Sequence, residues 1–376
     1  MRITQLLLLA FAISMPSLGF AQAIPEPPKS LCIDDAGCAE TPAPAGKGIK
    51  WHPGHYLDTD TIDRPNPTDS KNVALSVLRS IDGTPFKGAL VRYYWATLEP
   101  TKGNYDFSRI RTHRDALAAI GKRLIVQIQD RTFGGNGPAT TTQLPSYLID
   151  GSNPAYAGGW ALRGDNVGIA PKLWIAAVMD REIALQAALA AEFDDDPWIE
   201  VVSFEETSLF NVEPPGYTRA AMTTQYHRLA DAMSASWSQT TVCIPPNFFH
   251  GLEALRDLID YFASKRICVG GPDNIPGSKT SGSVVLSGSF DGVDRRNRTA
   301  IFFHNEYNSL TRGFTLQQLQ DNNHNVNGAH YTTWARMEPE NGLSYSKDIR
   351  PWIVSNNPPT RTRCPDNYKA GCVTTR

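Results

Sequence analysis

The sequence has no surplus of charge: 36 Lys and Arg stand against 38 Asp and Glu, mixed along the chain, for a net charge of −2. A nucleic-acid partner needs a basic face or stripe, and none is present. Glycine signatures for phosphate are missing as well; there is no Gly-x-Gly-x-x-Gly and no Walker-type loop, so the doubly wound nucleotide-binding sheet loses its usual support. No Gly-x-Ser-x-Gly elbow presents a serine nucleophile. Cys-x-x-Cys and Cys/His clusters with zinc spacing are also absent, which argues against a structural metal.

What is present begins with an export signal. Arg2 gives a positive start, Leu6 to Ile13 an apolar stretch, and Ala21-Gln22-Ala23 an A-x-A cleavage site, so residues 1–23 read as a cleavable signal peptide. That stretch is too short for a stable bilayer span and no later one is longer, so the expected product is secreted or periplasmic with no membrane anchor. Six cysteines suit an oxidising compartment. Their simplest pairing is Cys32–Cys38, Cys243–Cys268 and Cys364–Cys372, with other connectivities open, including a bridge between the two tails.

Residues 24–47 are rich in Pro, Ala and small polar side chains and read as a linker or surface tail. From Gly48 onward, strands and helices alternate. Expected strands are Gly48–Leu57 with its exit loop, Gly88–Pro100, Arg123–Gln129, Trp198–Phe204, Thr240–Ile244, Arg266–Gly270, Thr299–His304 and His330–Trp334. Helical spacing marks Ser70–Ile81, Ser108–Ile120, Leu173–Phe193, Met222–Trp237, Leu252–Phe262, Thr315–Gln320 and Asp348–Ser355. Two stretches break the rhythm: Phe133–Lys172, which reads as a lid or cleft wall, and the irregular excursion Asn274–Arg298. Eight near-continuous apolar strands over residues 48–356 point to a single-domain (β/α)8 TIM barrel, followed by a Cys-containing tail, 357–376.

In such a barrel, functional groups sit at the C-terminal strand ends. Those ends carry His52 and His55; Arg92, Trp95 and Glu99; Asp130 and Arg131; Glu205 and Glu206; Asn247; Asp273; Asn305 and Glu306; Trp334 and Arg336. Carboxylates, amides and aromatics dominate, the set that binds sugars and cleaves glycosidic bonds with one carboxylic acid and one carboxylate. Taken alone, each strand-end Glu reads more simply as a polar residue meeting solvent. His52 and His55 read as loop or cleft-lining residues, two histidines being too few for a metal centre.

Arg92 through Ser108, with Trp95-x-x-x-Glu99-Pro100-x-x-Gly103-x-Tyr105-Asp106-Phe107-Ser108, resembles the second-strand signature of clan A glycoside hydrolases, the β-galactosidase-like and cellulase-like TIM-barrel glycosidases. That resemblance implies an acid/base closing strand four and a nucleophile closing strand seven, the places of Glu206 and Glu306. It also implies that Arg92 orients the nucleophile and that Trp334 floors the sugar site. Trp95, Asp130, Glu205, Asn247 and Asn305 complete the expected substrate-binding set. One departure stands out: the clan carries Asn immediately before the acid/base, and here Glu205 occupies that place. The expectation is a secreted retaining β-glycosidase of a divergent kind, acting on carbohydrate without a cofactor. A carbohydrate-binding barrel that has lost its chemistry is the alternative.

Overall fold

The computed structural model describes residues 48–64, 66, 69–70, 72–133, 143–164, 168–209, 213–279 and 281–374. The expected signal peptide, the expected 24–47 tail and the expected Cys32–Cys38 pair lie outside the described residues. Eight parallel strands close into one barrel: β1 Gly54–Asp63, β2 Gly88–Tyr94, β3 Arg123–Gln129, β4 Ile199–Phe204, β5 Thr241–Cys243, β6 Ile267–Gly271, β7 Ile301–Asn305 and β8 Tyr331–Ala335. Each strand pairs with its predecessor in sequence, and β8 closes on β1 through Tyr331 opposite Gly54. A helix follows every strand: α1 Leu75–Arg79, α2 Ser108–Ala118, α3 Ala176–Phe193, α4 Arg219–Ser236, α5 Leu252–Ser264, α6 Gly282–Leu286, α7 Leu316–Asp321 and α8 Arg350–Asn356. The (β/α)8 barrel expected from the strand count is therefore present. Helix α6 is a short addition inside the stretch that reads as irregular.

The alternation of strand side chains sorts the barrel into two cores. Tyr56, Leu90, Ile125, Val201, Cys243, Cys268, Phe302 and Tyr331, one from each strand, fill the lumen in a single buried cluster. Residues of the opposite parity, such as Leu57, Val91, Val126, Val202 and Trp334, join the layer between strands and helices. Helix α5 illustrates the outer layer: Leu255, Leu258, Ile259 and Phe262 recur every three or four residues and are all buried. Fully burying each such side chain contributes about 1.5–3 kcal/mol. On β6, Gly270 is required by space, because a Cβ there would lie 1.6 Å from the Phe302 carbonyl oxygen on β7.

Two strands differ clearly from the expected boundaries: β2 stops at Tyr94, where the helical turn Trp95–Leu98 replaces the expected run to Pro100, and β1 starts late. Ile49–Lys50 does not start the barrel; it pairs with Cys372–Val373 of the C-terminal tail. Pro53 has no amide hydrogen to continue that pairing, and the barrel strand begins only at Gly54. The shift moves the C-terminal end of β1 to Asp58–Asp63, a polar run that carries no apolar pattern. It also removes His52 from the cleft, since its ring pairs with buried Glu200 at 2.8 Å. His55 is buried in the outer layer, accepting from the Trp334 indole at 3.0 Å.

The tail packs on the barrel. Trp51 donates its indole N–H to Thr362 O at 2.7 Å and meets Tyr368 edge-on at 5.7 Å, so Trp51 and Tyr368 plug the lumen below its apolar layer. Disulfides join Cys364 to Cys372 and Cys243 to Cys268, the latter between directly paired lumen residues of β5 and β6. Among the described residues no helix is long and apolar enough to cross a membrane.

Candidate active site

Two residues beyond the apolar lumen layer, the same parity places Asp58, Arg92 and His304 inside the barrel; four residues beyond it, parity delivers Glu205 and Glu306. Arg92 is the hub. Its Nη1 and Nη2 donate to the two oxygens of Asp58 at 2.7 and 2.8 Å, its Nε to Glu205 at 3.0 Å, and its Nη2 also to Glu306 at 2.5 Å. The bidentate Asp58 contact fixes the guanidinium plane, as a fork-to-carboxylate pair does. Asp58 was not legible as a site residue, because its strand ends later than the apolar pattern suggests.

One guanidinium cannot neutralise three carboxylates, and the protonation equilibria reflect that. Burial, the largest single influence, would raise Asp58, but Arg92, His304 and the Asp60 amide together outweigh it and hold the carboxyl down at about 2. Burial pushes Glu205 up, with Arg92 pulling back. Glu306 is driven well above the usual carboxylate range by burial, against Arg92, with Asp58 and Glu205 adding to the push. Burial also lowers His304, keeping its imidazole neutral. Its Nδ1 lies 3.4 Å from Glu306 and 3.0 Å from the Thr333 hydroxyl.

Glu206 belongs to a neighbouring cluster. Its side chain accepts from Arg163 Nη2 at 3.1 Å and from Asn247 Nδ2 in a short hydrogen bond. Asn247 is itself held at the end of β5, where its backbone N–H and C=O both meet the Thr207 hydroxyl at 2.9 Å. Burial pushes the Glu206 carboxyl up to about 7, against the pull of Asn247, Arg163 and Arg131. Asp130 sits close by, fully buried and paired through both oxygens with Arg131 at 2.7 Å. Arg163 had no signal in the sequence; it lies in the stretch that reads as lid, beside the hairpin strand Trp160–Leu162.

Three expected site residues are placed elsewhere, Asn305 and Trp334 by strand parity and Trp95 because β2 ends at Tyr94 and a helical turn begins there. Trp95 turns outward, fully buried, and donates its indole N–H to Glu99 at 2.9 Å. Asn305 faces the outer layer, where it accepts from Asn274 and donates to Thr333 O in an internal amide network with Asn322, Asn323 and Asn327. Trp334 is fully buried against Trp352 of α8, with ring centroids 6.1 Å apart, and does not floor the cleft. The Trp95-x-x-x-Glu99-Pro100-x-x-Gly103 motif is a loop staple: Glu99 accepts from Trp95, from Tyr147 at 2.8 Å, from the Gly103 amide at 2.8 Å and from Arg181. Gly103 adopts φ 73°, the left-handed conformation that this return requires.

Asp58, His304 and Glu306 could each offer a ligand atom to a metal ion, within 4.8 Å of one another. Arg92 already bonds both Asp58 oxygens and Glu306, so a dication would have to displace a guanidinium or abut it. The residues therefore fit a metal poorly.

No protein-family model matches the chain, and no curated protein matches it in sequence. Solved structures do match in shape. The catalytic domain of β-amylase from Paenibacillus polymyxa superposes with a TM-score of 0.55 at 11% identity, over 83% of this chain and 100% of that one. Endo-glycoceramidase II from Rhodococcus sp., in complex with a cellobiose-like isofagomine, reaches a TM-score of 0.49 at 13% identity, over 82% of this chain and 78% of that one. At such identities the β-amylase likeness establishes the barrel fold.

Proposed function

We propose that this barrel is an exported retaining β-glycosidase, a divergent clan A glycoside hydrolase with Glu206 as acid/base and Glu306 as nucleophile. The observation that carries the reading is the difference in partners and exposure between the two carboxyls, since burial raises both. Glu206 is closed off from water and keeps its proton to about pH 7, whereas Glu306 retains some exposure and accepts directly from Arg92. A general acid near neutrality and an oriented carboxylate are the two parts that glycoside hydrolysis needs.

In the first step a Glu306 oxygen attacks the anomeric carbon, the bond to the leaving oxygen breaks, and the Glu206 proton passes to that oxygen. In the second step Glu206, now ionised, takes a proton from water, whose oxygen attacks the same carbon and releases Glu306. Attack requires Glu306 to be ionised. Arg92 favours that state, and Glu205 on the same guanidinium is the neighbouring carboxyl that can hold the displaced proton. Asp58 keeps Arg92 in register without touching substrate.

The carbohydrate-binding alternative has an observation of its own. Both oxygens of Glu206 are already occupied, by Arg163 and Asn247, so a substrate oxygen must displace one of them. A panel of aryl β-glycosides incubated with wild type and Glu306→Gln separates the readings. Turnover by wild type and its loss in the variant supports hydrolysis; carbohydrate binding by both proteins without turnover supports the alternative. Export is tested separately: the mature N-terminus should follow Ala23, and retention of the leader in extracytoplasmic protein would contradict it.

A further inference from the structure

Near the C-terminal end of the barrel, Asp63, Asp130 and Glu206 each have an arginine of their own. Arg109 bonds both oxygens of Asp63 at 2.8 and 2.7 Å, Arg131 bonds both of Asp130, and Arg163 bonds one of Glu206. Arg92 is instead shared by three carboxyls, those of Asp58, Glu205 and Glu306. Asp60, whose amide N–H donates to Asp58 at 2.8 Å, brings a further carboxyl to the same place. His304 is kept neutral by burial, and Arg312 is in electrostatic range of Asp273. Among the described residues, Arg92 is the only arginine or lysine that bonds the three, so this part of the cleft is short of positive charge.

Glu205 shows where the missing charge belongs. The residue is 4% exposed, and its Oε1 accepts from Arg92 Nε at 3.0 Å. Its Oε2 accepts from none of the described residues, yet it is not closed off from solvent. Glu205 follows β4 at lumen parity, so the opening that Oε2 faces is the cleft. Glu306 likewise gives one oxygen to Arg92, and its side chain is 28% exposed. Burying a carboxylate without a partner charge is costly. A sugar hydroxyl laid against Glu205 would remove its water and supply no charge, whereas an ammonium supplies both a charge and three donors. A dication would need the Asp58 and Glu306 oxygens that Arg92 already bonds; an ammonium uses the oxygen that is open. Because Glu205 and Glu306 are held on one guanidinium, the substituent within reach of Glu205 is the one beside the carbon that Glu306 attacks. A cation at that position also favours the ionised Glu306 that attack requires.

We infer that the sugar bound against Glu306 carries a free amine, as a 2-amino-2-deoxy-β-glycoside whose ammonium donates to Glu205, an inference that rests on the reading of the barrel as a glycosidase. Glu205 is then the specificity-determining residue. A proton that it holds in the free protein passes to water as the ammonium binds.

Glu206→Gln slows turnover and leaves Arg92 and its three carboxyls in place, so it is the background for binding. Methyl β-glycosides of glucosamine and galactosamine, their 2-hydroxyl parents and their N-acetyl forms are titrated calorimetrically at mildly acidic pH, where the amine is charged. The better amine should bind about 10–100-fold more tightly than its own parent. Adding Glu205→Gln should bring the two within about threefold, and Glu205→Asp should keep the amine ahead. Thermal unfolding checks that each variant keeps its fold. A parent or N-acetyl form that binds as well as the amine, a preference that survives Glu205→Gln, or no binding of any of the six in the millimolar range overturns the inference. Turnover of the matching aryl glycosides by wild type separates the two levels. Cleavage that favours the 2-hydroxyl or N-acetyl substrate leaves the glycosidase standing and removes the amine. Glu205-dependent binding of the amine by a protein that cleaves none of them does the reverse.

Discussion

Glu206 and Glu306 differ in their surroundings, and pH should reveal the difference. The proposed mechanism uses Glu206 protonated, so kcat/KM for an aryl β-glycoside should fall as pH rises through about 7. Replacing it by Gln should lower kcat by about 10²–10⁴-fold for a poor leaving group and remove that alkaline limb; an unchanged limb would contradict the assignment. The same burial carries a stability cost. A carboxyl whose folded value lies above its unfolded one favours the folded state below the unfolded value and loses that advantage as pH rises through the folded one. Glu206→Gln should therefore be more stable than wild type above pH 7, by an amount on the order of a few kcal/mol at most, as read by denaturant unfolding at pH 6 and pH 8. On the acid side, Glu205→Gln removes a negative neighbour that pushes Glu306 up, so the acid limb of kcat/KM should move to lower pH. The carboxylates were legible because each interrupts an apolar strand. Arg163 and Asp58 were not, the first lying in a long loop and the second in a polar run that no apolar pattern marks.

Strand by strand, alternation decides which side chains reach the cleft. Position at a C-terminal strand end is enough to nominate a residue but not to orient it, and this is why Trp95, Asn305 and Trp334 read as site residues. The parity that turns two of them outward is itself in the sequence: Trp334 stands three residues after lumen-facing Tyr331, and Asn305 three after Phe302. Alternation carries one residue past the strand ends, to Glu205 and Glu306, but does not show the outcome for Glu206, the second residue past β4. The second-strand motif likewise proves to be a scaffold feature. Glu99 is buried and accepts from four donors, so Glu99→Ala should destabilise by about 3–5 kcal/mol through the stranded Arg181 and Trp95 donors. Chemical denaturation measures it, and a change below about 1 kcal/mol would remove Glu99 from that role.

At the scale of the whole molecule, β8 closes the barrel on β1, and the tail joins Ile49–Lys50 in a separate two-stranded sheet. The tail was readable as a cysteine-bearing appendage. Its packing beneath the lumen was not, since it depends on Tyr368 and Trp51 meeting across more than three hundred residues of sequence. The Cys364–Cys372 bridge encloses a short loop, so Cys364→Ser with Cys372→Ser should cost about 2–3 kcal/mol by the chain-entropy account, seen as a lower denaturation midpoint than that of the oxidised wild type. An unchanged midpoint would mean that packing alone holds the tail.

The central claim is that Glu306 becomes covalently attached to sugar. Incubation with a panel of activated 2-deoxy-2-fluoro β-glycosides, followed by intact-mass measurement and peptide mapping, tests it directly, because slowed hydrolysis accumulates the intermediate. The account predicts one added fluorosugar on the peptide containing Glu306 and none in Glu306→Gln. Turnover of glycosides without any adduct, or an adduct on Glu205 or Glu206, would contradict it.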